Sequence, residues 1–294
     1  MQLRAWGASL AALGVTAASM AAQPRQTSRD VPADVPGILA RVGERVEAYF
    51  TRAQSLICRE TVRLQTLRPD LITDGSHARQ LVYDLRVAWQ AAADGDDALE
   101  ASVLRDIVKV NGRSPRPTDE PGCMDPKPVS PEPLAMLLPR KQSEYAFTWA
   151  GFAKVDGRAA AMVDYRSIEK GTPTVTRRND CISVELPGHS RGRIWIDQET
   201  GDVLRLDERL TGMVDFDVPP DRSRRRPSSS MTIERADMSI RYRRVTFQNP
   251  EEALMLPTSI DTITVIRNSG APRVRKSQRF SDYRRFVTEG RIVQ

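Results

Sequence analysis

Histidine and cysteine are the scarce residues of this 294-residue chain, which has two of the first and three of the second. His77 and His189 stand alone, and Cys58, Cys123 and Cys181 are scattered. Neither set has the short, regular spacing that a tetrahedral zinc site needs. A Walker-type phosphate loop is absent, and so is a G-x-G-x-x-G following a strand, so nucleotide chemistry has no support in the sequence. Aromatic residues make up only 6%. None is interleaved with basic residues in a nucleic-acid-binding pattern, which argues against a nucleic-acid partner. Beyond residue 22 no run is apolar enough to cross a bilayer. No cofactor and no metal is expected.

Two motif matches fail on context. Gly188-His189-Ser190-Arg191-Gly192 fits G-x-S-x-G, the nucleophile elbow of hydrolases. That elbow needs a helix after the serine and a histidine further down the chain. A strand pattern follows Ser190 instead, and both histidines precede it, so the expectation is a Gly-rich turn between strands. Asp197, Glu199 and Asp202 crowd one turn in a way that suggests calcium. The stretch is far shorter than an EF-hand loop and lacks its distal glutamate. A hairpin turn with solvated carboxylates is expected there. Cys58 has no histidine placed to activate it, so it reads as a buried thiol rather than a nucleophile.

The N-terminus carries a signal that is present and clear. Arg4 is a short positive region, Ala5 to Ala22 is small, apolar and uncharged, and Ser19-Met20-Ala21 is an A-x-A-like cleavage triplet. Residues 1–22 read as a secretory signal peptide and 23–33 as a polar leader. A retained anchor is the rival reading, weakened because Ala, Gly, Ser and Thr dominate the run. Export places the mature chain in the periplasm or outside the cell, an oxidising compartment. One disulfide and one free thiol follow, with three pairings possible. A loop-to-strand link between Cys123 and Cys181 is the first choice.

The mature chain, about 270 residues, suits one large domain, here placed at 34–288. Its charge, 44 basic against 38 acidic residues, is a modest solvated excess carried by arginine. Asp34 and Pro36 open a helix with Leu39, Val42, Val46, Tyr49, Phe50 and Ala53 at helical spacing, ending near Gln54. Strand patterns then follow at 56–64, 80–90, 105–111, 144–155, 158–168, from Cys181, and at 231–247, 257–268 and 274–286. Residues 134–138 form one short helix. Asn111-Gly112 and Asp156-Gly157 are turn dipeptides. Ser114–Pro133 is irregular and rich in the chain's prolines. The stretch 217–230, with Arg222-Ser223-Arg224-Arg225-Arg226, is a solvated loop that offers a basic contact, and 171–180 is a loop.

Gly192 to Leu210 is the plainest hairpin. Ile194 and Ile196 alternate with Arg193 and Asp197, Glu199-Thr200-Gly201 turns the chain, and Val203, Leu204 and Leu206 resume between Arg205 and Asp207. The fold class is therefore α+β: one long, curved antiparallel sheet of about ten strands, an open half-barrel, with the N-terminal amphipathic helix packed on it.

That hairpin resembles the GRIWIDPETG-type hairpin of a family of exported acidobacterial proteins, and through them the LolA/LolB-like fold of outer-membrane lipoprotein sorting. Ile57-Cys58-Arg59-Glu60-Thr61, Leu254-Met255-Leu256-Pro257, where a loop returns to a strand, and Phe280-Ser281-Asp282-Tyr283-Arg284-Arg285-Phe286 fit the same family. The resemblance implies a half-barrel whose concave, apolar face holds acyl chains under a helical lid. The chain departs from a lipoprotein carrier in its Pro-rich stretch at 114–133 and its Arg-rich loop, which leaves the ligand open.

Two functions compete. One is a non-catalytic periplasmic protein that binds or carries a lipid or another apolar ligand, lined by Phe147, Trp149, Trp195 and Tyr242. The other is a structural envelope protein with a packed interior, whose partner is an envelope or lipidated protein. Glu60 shares a face with Leu56, Cys58 and Val62, so it is a semi-buried carboxylate that calls for an arginine from a neighbouring strand.

Overall fold

The computed structural model describes residues 34–52, 56–91, 99–117, 119, 123, 129–131, 133–178, 181–218, 229–248, 251–268 and 273–285. The signal peptide at 1–22, the leader at 23–33, Arg222–Arg226 and Phe286 lie outside the described residues.

Helix α1 spans Val35–Arg52. It starts where the sequence places it, because the Asp34 carboxylate accepts the Gly37 N–H at 3.1 Å and caps the first turn. Pro36 sits in that turn, where a missing N–H costs nothing. The stripe Leu39, Val42, Val46 and Phe50 is buried, and Val42 is fully so.

Fourteen strands are seen among the described residues: β1 Leu56–Leu67, β2 Arg79–Ala91, β3 Leu99–Val110, β4 Val129–Pro131, β5 Tyr145–Val155, β6 Arg158–Ser167, β7 Thr174–Arg178, β8 Cys181–Glu185, β9 Ser190–Asp197, β10 Val203–Leu210, β11 Val214–Val218, β12 Ser229–Gln248, β13 Glu251–Arg267 and β14 Arg273–Arg285. Eleven lie side by side in the order β4-β3-β2-β1-β14-β13-β12-β10-β9-β6-β5, β11 pairs with β12, and β7 and β8 form a separate ribbon. The sheet is antiparallel and open, with β4 and β5 at its edges.

Three segments differ from the sequence reading. The expected loop at 171–180 contains strand β7, because Val175 and Val184 pair across the β7–β8 ribbon and pack onto the core around Phe216 and Ile233. The short strand β4 falls within the proline-rich stretch and pairs with the start of β3. Leu254–Pro257 is no loop but the interior of β13. Pro257 is tolerated there because the β12–β13 register shifts at Arg241/Tyr242, beside the Tyr242–Pro257 pair. The Tyr283 hydroxyl then donates to the Pro257 carbonyl at 2.6 Å.

The expected turns are present. Asp156 and Gly157 both have positive φ, 49° and 84°, the backbone of a two-residue hairpin turn joining β5 to β6. A disulfide joins Cys123 to Cys181 across 58 residues, and Cys58 is a buried free thiol.

The pleat gives the sheet a helix side and an outer side. On the helix side α1 and the short 3-10 turn Pro133–Leu137 cover Val163, Ile194, Leu206, Ile240 and Leu256. Gln142 ties these layers by donating to Leu39 and Leu137 carbonyls at 3.0 and 2.7 Å. At the other end of the cover, Arg45 donates to the Thr200 carbonyl at 2.9 Å, so the β9–β10 turn is fastened to the helix.

Candidate functional site

Three of the four aromatic residues expected at a ligand site share the helix side. Phe147 pairs with Tyr165 and Trp149 with Val163, both facing the core, and Tyr242 lies within that core. A register shift between Trp149 and Gly151 returns Phe152 to the same side, opposite Ala161. The rings of Trp149 and Phe152 meet edge to face, 4.7 Å apart. Phe152 is 47% exposed. The Trp149 indole N–H is buried and finds no acceptor among the described residues. Because β5 is an edge strand, these rings form an aromatic shelf at the open margin of the core. Trp195 is not part of it. It sits between Ile194 and Ile196, so the pleat turns it to the outer side, where the Arg205 guanidinium lies 4.6 Å over its ring.

Some polar groups on the helix side, unlike the Trp149 indole, are paired. The Tyr165 hydroxyl donates to Glu208 at 2.9 Å. Burial pushes the Glu208 carboxyl above its ordinary range, and hydrogen bonds from Tyr165 and Ser190 offset this only in part. Gly192 makes the arrangement possible: a Cβ there would stand 1.9 Å from the Asp207 carbonyl oxygen and 2.8 Å from the Tyr165 ring. Ser190 lies 3.3 Å from the Ser167 hydroxyl, while His189 Nε2 is 2.9 Å from the Gly171 carbonyl oxygen. The G-x-S-x-G stretch is thus a strand entry, with its histidine engaged in a neighbouring loop.

Glu60 has the arginine that its position calls for. It is fully buried, Arg105 Nε of β3 donates to one of its oxygens at 2.7 Å and Gln278 Nε2 of β14 to the other at 2.6 Å. Cys58 lies nearby, and burial, reinforced by the Glu60 charge, pushes its thiol up to about 12. Burial also raises Tyr283 well above its ordinary value, with Cys58, Tyr49 and Glu60 adding to the effect.

Of the acidic turn, Glu199 is exposed as expected, but Asp197 is not. Asp197 is only 4% exposed. One oxygen accepts the Glu199 and Thr200 N–H groups at 3.0 and 2.8 Å, and the other meets Arg158 Nε at 2.8 Å. Burial pushes this carboxyl up, but the turn N–H groups and Arg158 outweigh it and hold it below its usual value. Its donors are the turn and an arginine, so it acts as a brace for the hairpin.

The outer side holds a cleft of about 1010 Å³ across β6, β9, β10, β12, β13 and β14. Arginine and aspartate alternate on it. Arg193 grips Asp164 at 2.6 and 2.9 Å, and Arg205 grips Asp207 at 2.8 and 2.6 Å. Sequence reasoning treated these residues only as the polar half of each strand. The signal was the period-two recurrence of charge in Asp164/Arg166, Arg191/Arg193 and Arg205/Asp207/Arg209.

No family model matches the chain, and no curated protein sequence matches it. Solved structures do. A putative outer membrane lipoprotein-sorting protein domain from Vibrio parahaemolyticus is 10% identical over 85% of this chain and 92% of its own, with a TM-score of 0.41. A DUF1329 family protein from Desulfovibrio piger is 12% identical over 86% and 94%, also at 0.41. A LolA superfamily protein from Nitrosomonas europaea is 10% identical over 87% and 94%, at 0.34. This chain is similar to each in the run of its elements, and none of them lends it a ligand.

Proposed function

We propose that the chain is an exported, non-catalytic binding protein of the cell envelope that holds a lipid or other apolar ligand at the margin between α1 and the sheet. The aromatic shelf on β5 carries this reading. A buried donor without an acceptor costs about 1–3 kcal/mol, and the Trp149 indole N–H is such a group, on a ring that meets Phe152 edge to face. A ligand with an apolar body and one carbonyl or carboxylate satisfies both surfaces at once. Export is supported by the signal-peptide pattern and by the disulfide, which persists in oxidising compartments.

Delipidated protein should bind a fluorescent fatty acid, and Trp149→Phe, which removes the indole N–H with its pyrrole ring but keeps an aromatic side chain, should weaken that binding. No binding by the wild type, or equal binding by the variant, overturns the assignment. The second reading is an envelope interaction protein with a packed interior. It is favoured by the middle of the helix side, where Val42, Leu137, Ile194, Leu206 and Leu256 are all fully buried. Native mass spectrometry of protein taken from its own host separates the two, since one co-purifies with lipid and the other with a protein.

A further inference from the structure

On the outer side several arginines have a carboxylate beside or across from them: Arg193 has Asp164, Arg205 has Asp207, and Arg279 reaches Asp261 at 3.1 Å. Arg241, directly opposite Arg205, and the row of Arg166, Arg191 and Arg209 depart from this pattern. Only in the row do three arginines stand side by side with no ion pair among the described residues. Arg166 of β6 directly opposes Arg191 of β9, and Arg191 directly opposes Arg209 of β10. All three are exposed, all three line the cleft, and none makes an ion pair among the described residues. Asp237, which also lines the cleft, is taken by Arg235 at 2.5 Å. Glu208, next to Arg209 in sequence, faces the helix side and holds Tyr165.

Like charges directly opposite one another destabilise a sheet. Three arginines on three adjacent strands therefore leave local repulsion that a bound anion would relieve. The surrounding rows show how readily this sheet places an aspartate at such positions. Neighbouring strands lie about 4.8 Å apart, so the three Cα atoms span roughly 10 Å. The guanidinium is a rigid fork that matches phosphate oxygens in pairs. One phosphate bridges two adjacent arginines, and the third arginine reaches a second phosphate. Arg275, opposite Ile263 on the far wall, adds a fourth cation.

We propose that Arg166, Arg191 and Arg209 form a binding site for a ligand carrying two or more phosphate groups, on the side of the sheet opposite the aromatic shelf and independent of it.

The test is titration calorimetry of the mature protein with inorganic tripolyphosphate, beside co-sedimentation with phosphatidylcholine vesicles with and without phosphatidylglycerol. Binding in either arm is expected to weaken with salt, to fall about tenfold or more in Arg191→Gln as charge-assisted bonds are lost, and to vanish in the triple Gln variant. Arg86→Gln, an exposed arginine of β2, should bind as the wild type does. Binding of tripolyphosphate identifies a soluble phosphorylated ligand; binding only to phosphatidylglycerol vesicles identifies clustered lipid headgroups. Because Arg191→Gln relieves repulsion, its melting temperature should equal or exceed that of the wild type. Failure of both arms, binding that survives the triple variant, or a marked fall in the melting temperature of Arg191→Gln overturns the proposal.

Discussion

Replacing Arg105 by methionine should be among the most damaging single changes in the domain, although the side chain touches no candidate ligand surface. Glu60 is fully buried, and Arg105 supplies its one charged partner among the described residues at 2.7 Å with a side chain only 15% exposed. Methionine keeps the apolar stem but leaves the carboxylate with Gln278 alone, a neutral donor on one of its two oxygens. Breaking a buried pair by removing one member costs about 3–5 kcal/mol, because the remaining charge is stranded. For a domain of this size each kcal/mol lowers the melting temperature by about 2–4 °C, so the variant should melt roughly 6–20 °C lower. Adding Glu60→Gln removes the stranded charge and should restore most of the loss, since replacing both members of a buried pair is often close to neutral. Urea unfolding followed by near-ultraviolet circular dichroism measures both variants. A loss below about 1 kcal/mol in Arg105→Met, or a double variant no more stable than the single one, would show that Glu60 does not depend on this pair.

Other expectations follow from the same contacts. The Cys58 thiol, raised by burial and the Glu60 charge from 9.0 to about 12, keeps its proton longer in the folded than in the unfolded chain. Stability is therefore untouched below about pH 9 and falls as pH rises from 9 towards 12, by about 1.4 kcal/mol per unit. Urea midpoints of wild type and Cys58→Ala across that range should diverge, and parallel curves would contradict it. Reducing the Cys123–Cys181 bond, which closes a loop of 58 residues, should cost up to about 4 kcal/mol by the chain-entropy relation; melting with and without reductant reads this out, and no shift would count against it. Gly192→Ala sets a Cβ 1.9 Å from the Asp207 carbonyl oxygen. It should destabilise the domain by about 1–3 kcal/mol through backbone displacement, and an unchanged thermal melt would show that the strands yield more easily than the geometry implies.

Much of the architecture was legible because the relevant signals are local. The cap at Asp34, the stripe from Leu39 to Phe50, the Asp156-Gly157 turn and the 192–210 hairpin each depend on residues a few positions apart. The arginine demanded by Glu60 was legible as a need, since period two put a carboxylate on an apolar face. Which arginine answers it was not, because Arg105 arrives from β3 and Gln278 from β14. Leu254–Pro257 misled because a proline inside a central strand is tolerated at a register shift, and that shift, which leaves Thr258 unpaired in the ladder beside Pro257, appears only once β13 is aligned with β12. Trp195 was grouped with Phe147, Trp149 and Tyr242 by residue type, whereas its place between Ile194 and Ile196 already turned it to the other side.

The single amphipathic helix, the antiparallel strands, the side that strand residues face away from bulges and the turns between neighbours follow from the sequence alone, through periodicity and backbone preference. Only the tertiary structure decided strand order. The last strand, β14, enters the middle of the sheet between β1 and β13, and β6 pairs with β9 across the β7–β8 ribbon. Those pairings are set by packing between distant segments, which local patterns do not encode. They bring Gln278 to Glu60 and align Arg166 with Arg191 and Arg209 in one uncompensated row.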